Sequence, residues 1–82
     1  MTNGPVNTDQ YLVAPRDASA ADELAAFEEA LRAYPDAAIL SRGGRPDQPR
    51  VVVTLGPQTL QELKSRFGAV LIIERNAPLF LP

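Results

Sequence analysis

The chain has 82 residues, 45% hydrophobic and 22% charged, with a formal net charge of −2, which suits one small folded domain and excludes a disordered polymer. It has neither cysteine nor histidine, which removes disulfides, thiolate metal sites, cysteine nucleophiles and the commonest general base and metal ligand. The acidic balance argues against a nucleic-acid partner, since phosphate binding wants a cationic excess, and no stretch approaches the roughly 20 apolar residues of a membrane-crossing helix.

Residues Met1 to Gln10 are polar and contain Gly4 and Pro5, so 1–10 reads as a flexible arm. This start lacks the basic opening and apolar run of a secretion signal, so a cytoplasmic location is the expectation if the chain is complete. Tyr11-Leu12-Val13-Ala14 reads as a short strand ended by Pro15. Ser19, with Asp22 three residues on, gives a capping-box-like start to a first helix. Leu24, Phe27, Leu31 and Tyr34 recur at helical spacing and form one apolar stripe, and Pro35 stops the helix. Ala37–Ser41 follows as a strand, and Arg42–Pro49 reads as a loop by composition. Arg50–Leu55 is β-branched and bounded by breakers, the clearest strand pattern in the chain. Gly56-Pro57 opens a second helix, with proline where its missing N–H does no harm. Leu60, Leu63 and Phe67 are its stripe and Gly68 its stop. Ala69–Ile73 is the last strand.

The order β-α-β-β-α-β repeats a strand, helix, aromatic, breaker, strand unit, with Tyr34-Pro35 in the first half and Phe67-Gly68 in the second. Two such halves predict an α+β, ferredoxin-like fold over 11–76: an antiparallel four-stranded sheet with two helices on one face. The other sheet face is left to solvent or a partner.

Candidate chemistry is sparse. Gly43-Gly44 with Arg42, Arg45 and Arg50 could cradle a phosphate, but the stretch does not open a helix, and a plain hairpin loop is the expectation. Glu28 and Glu29 are expected on a solvated helical face, where paired carboxylates rarely do acid–base work. Tyr11 is expected to pack. No catalytic residue, cofactor or metal is assigned, and an enzyme is not expected.

The tail, 77–82, is the informative part. Leu79, Phe80 and Leu81 would each gain roughly 1.5–3 kcal/mol from full burial, so they pack on their own sheet as an irregular edge segment or enter something else. Pro78 and Pro82 keep the tail extended and partly organised for a groove, and such a segment suits a cleft that reads side chains by pockets.

The whole element order, with Tyr11-Leu12-Val13, Thr59–Lys64 and Val70–Asn76 locally, resembles the propeptide-type inhibitors of subtilisin-like serine proteases. The resemblance covers roughly 11–82 and implies a non-enzymatic module that inhibits such a protease, or assists its folding as a chaperone. Its open sheet face would rest on two helices of the protease. Ala77, Pro78, Leu79, Phe80, Leu81 and Pro82 would lie in the active-site cleft, with Pro82 at the main specificity pocket. Glu74 stands where the family caps the partner's helix N-termini, and Asn76 takes the second capping place. The expected partner is a subtilisin-like serine protease or another protein with an extended peptide cleft. A rival expectation is a small regulatory or accessory domain of ACT-like type, binding a small ligand or partner protein. It would need a glycine-bearing turn after the first strand, and Pro15–Ser19 has no glycine.

Overall fold

The computed structural model describes residues 8–76. In chain order these form β1 (Asp9–Pro15), a single 3-10 turn (Ala18–Ala20), α1 (Ala21–Leu31), β2 (Ala38–Arg45), β3 (Gln48–Leu55), α2 (Pro57–Phe67) and β4 (Leu71–Arg75). The strands lie in the order β2-β3-β1-β4, and every pairing is antiparallel. This is the ferredoxin-like α+β arrangement expected from the element order.

Alternation decides which face is the core. Tyr11 and Val13 of β1, Val51, Val53 and Leu55 of β3, and Leu71 of β4 are buried. The register places Tyr11 opposite Val53, and Val13 opposite both Val51 and Ile73, so these side chains share one face. Leu24, Phe27 and Leu31 of α1 and Leu63 and Phe67 of α2 join them in a single cluster. At its centre the Phe27 and Phe67 rings meet edge to face, with centroids 5.4 Å apart and planes at 81°. Both helical stripes read from the sequence thus bury against the same face, and Tyr34 and Leu60 pack at the margin.

The first helix ends at Leu31, so Tyr34 lies in the connection after it and Pro35 is not what stops it. Four other boundaries differ from the sequence reading. First, β1 begins at Asp9, inside the stretch read as an arm, because Asp9 pairs with Leu55 and Gln10 with Thr54. Second, Asp17 rather than Ser19 caps the first helical segment: its Oδ1 accepts from the Ser19 amide at 3.0 Å, and the Ser19 hydroxyl also donates to it. Third, Arg42–Pro49 is mostly strand, because β2 runs to Arg45 and β3 starts at Gln48, leaving only Pro46-Asp47 as the turn. Proline's fixed φ suits the first central position of such a turn. Fourth, the last strand is shifted: Ala69 and Val70 lie in a turn, and β4 continues through Glu74 and Arg75.

Gly44 makes the long hairpin possible. Its φ of 84° is in the left-handed region, and a Cβ there would run into the Gln48 carbonyl. Gly44→Ala is therefore expected to destabilise the domain by about 1–2 kcal/mol. A urea denaturation midpoint unchanged by the substitution would show that the hairpin relaxes freely.

Candidate functional site

The uncovered sheet face is not polar in the usual alternating manner. Continuing the register, Leu12 lies opposite Val52 on one side and Glu74 on the other, and Ala14 lies opposite Ile72. Leu12, Ala14, Val52 and Ile72 are half-buried with no helix of the described residues above them, and Glu74 beside them is exposed. Antiparallel sheets with a solvated face normally place polar groups there. This face is instead apolar along its middle, with charged residues at its border. Gln10 and Thr54 border the strip at one end, and Arg50 at the other.

Glu74 and Asn76 are brought to this face. Glu74 belongs to β4 and does not follow it, so its backbone is fixed by the β1 ladder and its side chain stands level with Leu12. The Asn76 amide donates to the Gln10 carbonyl at 2.8 Å, which carries the ladder one step past the strand. Asn76, the last described residue, therefore lies beside the apolar strip. The other partner-binding residues, Ala77, Pro78, Leu79, Phe80, Leu81 and Pro82, lie outside the described residues.

Arg42, Arg45 and Arg50 do not act as one group. A bulge between Ile39 and Ser41 reverses the facing of β2, leaving Leu40 49% exposed and setting Arg42 opposite the buried Val51. Arg42 consequently reaches towards the helices and donates to Glu28 Oε1 from Nη2 at 2.9 Å and from Nε at 3.1 Å. Glu28 is thus not on a solvated face: its side chain is only 23% exposed. Glu29 stays outside, in a long 3.6 Å contact with Arg32, where such a pair contributes about 0–1 kcal/mol. Tyr11 is buried in the core, as expected.

The sequence reading assigned no role to Leu12, Val52 and Ile72, although a signal was present. Tyr11–Ala14, Val51–Val53 and Leu71–Ile73 are unbroken apolar runs, and a strand apolar at consecutive positions presents apolar groups to both faces. Among the described residues, no group of three or more acidic side chains is placed to hold a metal ion, and no helix is long and apolar enough to cross a membrane. Comparison with protein-family models, with characterised proteins and with solved structures finds no match to this chain.

Proposed function

We propose that the chain is a non-enzymatic binding module of the propeptide-inhibitor kind, acting on a subtilisin-like serine protease. The observation that carries this reading is the apolar strip on the open sheet face, which runs up to Glu74 and Asn76 at the end of the described residues. The strip would rest on the protease surface, excluding water around Leu12, Val52 and Ile72. Glu74, held in register by β1, offers a carboxylate to free amides at a helix N-terminus, where the dipole favours negative charge. Asn76 offers an uncharged acceptor beside it. The segment from Ala77 to Pro82 would then enter the cleft as an extended, proline-stiffened strand. No bond need be broken by the module itself, since occupancy of the cleft suffices.

The test is inhibition of a subtilisin-like protease by the full chain and by a variant ending at Asn76. Loss of three apolar side chains from a cleft is expected to weaken inhibition by about 3 kcal/mol or more, roughly a hundredfold or more. The denaturation midpoint should not change, because the described sheet pairings and core cluster are made by residues up to Asn76. Glu74→Ala should have a smaller effect, seen mainly as faster dissociation. Equal inhibition by the truncated and full chains would refute the reading.

A further inference from the structure

A second site lies at the hairpin end of the sheet, away from Glu74. The β1–β3 ladder stops at Val13 opposite Val51, and two more steps of that register would set Pro15 opposite Pro49. Neither proline has an N–H to give, so the ladder cannot continue and the strands part. The gap is a cleft of about 470 Å³ between the β1–α1 connection and the hairpin arm, a size typical of small-ligand sites.

Three of the chain's eight cationic side chains line this cleft: Arg16, Arg45 and Arg50. Arg16 and Arg45 are held in ways that leave guanidinium nitrogens available. Arg16 is anchored by its Nε, which donates to the Gly68 carbonyl at 2.9 Å. Arg50 lies across the hairpin, its Cγ 3.2 Å from where a Gly44 Cβ would stand. Among the described residues neither Arg16 nor Arg50 forms an ion pair. Arg45 is steadied by Gln48 at 3.1 Å and touches Asp47 only at 3.7 Å, with both side chains more than 70% exposed. The other acid of the cleft, Asp17, is engaged with Ser19. With Arg16, Arg45 and Arg50 set against Asp17 and Asp47, the lining keeps a formal charge of +1 in a chain whose net charge is −2.

We propose that this cleft is a binding site for a compact dianionic oxyanion, a phosphate group or a small dicarboxylate. Guanidinium groups offer paired N–H donors that match the oxygens of either anion. None of the cleft's arginines lies in the Glu74–Pro82 segment, but Ala14 and Arg50 also belong to the apolar strip or its border, so the cleft adjoins that surface.

The experiment is an amide NMR titration of the full chain with inorganic phosphate and, separately, with succinate, against sodium chloride at matched ionic strength. Saturable shifts centred on Arg16, Gly44, Arg45 and Arg50, with a dissociation constant of about 1 mM or tighter for at least one anion, are expected. Tighter binding of phosphate or of succinate identifies the source of the oxyanion. Arg50→Ala and Arg45→Ala should each weaken binding at least tenfold, while Arg66→Ala, on α2, should not. Shifts that grow linearly and are matched by chloride would overturn the proposal. So would affinity unchanged in both cleft variants.

Discussion

Phe27→Ala is expected to be the most damaging single truncation in the domain, lowering stability by about 3–5 kcal/mol. Phe27 has no exposed surface, and its ring is where the two helices meet, edge-on to Phe67. The substitution removes the burial of a large ring, leaves a cavity between both helices and the sheet, and deletes an aromatic contact of about 0.5–1.5 kcal/mol. A domain of this size has roughly 4–12 kcal/mol in total, at 0.05–0.15 kcal/mol per residue. A large part of that reserve would go, and the weaker end of the range would leave the chain substantially unfolded. Urea denaturation should show the midpoint falling with the slope unchanged, since the same surface is exposed on unfolding. Phe27→Leu should do much less, because a smaller apolar group still fills most of the site. Leu40→Ala, at a side chain 49% exposed in the bulge, should stay within about 0.5 kcal/mol. A Phe27→Ala effect as small as that of Leu40→Ala would mean that the ring is not enclosed.

The elements most legible in the sequence are those whose pattern is local. Leu24, Phe27 and Leu31 at helical spacing specify the α1 stripe, and Leu63 and Phe67 that of α2; both are buried. The repeated strand–helix–strand order was enough to reach the fold. What could not be read depends on register, which is non-local. The bulge at Leu40 turns Arg42 towards Glu28, and no spacing rule foretells which side of a strand an arginine takes after a bulge. Gly43 and Gly44 read as loop because glycine is common in turns, yet both pair in β2, opposite Arg50 and Pro49. Glu74 read as an exit residue because the apolar run ends at Ile73, but pairing with Leu12 extends the strand over it. The open face was legible in outline, and its apolar strip only by asking why the strands do not alternate. The arginine cleft was half legible: Arg45 and Arg50 were visible as neighbours, while Arg16 joins them only because the β1–β3 ladder ends before Pro15 and Pro49.

Asp36→Ala should be the most damaging change to a polar side chain among the described residues, at about 2–4 kcal/mol. The reason begins with what α2 lacks. Its N-cap is Gly56, which has no side chain to accept from the free amides of the first turn, and its first residue is Pro57. Asp36, in the connection between α1 and β2, supplies the missing acceptor from 20 residues away. Its Oδ2 accepts from the Gly56 amide at 3.0 Å, and the Thr59 hydroxyl donates to Oδ1 at 2.8 Å. The carboxylate also faces the positive end of the helix dipole. Thr59 is only 6% exposed, so removing Asp36 leaves a buried hydroxyl and a helix-terminal amide without a partner. Asp36→Asn, which keeps one acceptor oxygen, should lose less. The decisive measurement is a double-mutant cycle by urea denaturation. Thr59→Val removes the hydroxyl, so Asp36→Ala on that background should be milder by about 1 kcal/mol or more. Strict additivity would mean that the Asp36–Thr59 bond contributes nothing and that the helix start is held by packing alone. A clear coupling would show that one carboxylate ties the first βαβ half to the second, alongside the 3.0 Å bond from the Tyr34 hydroxyl to Glu62. The two repeats would then be joined by specific polar contacts as well as by the shared core.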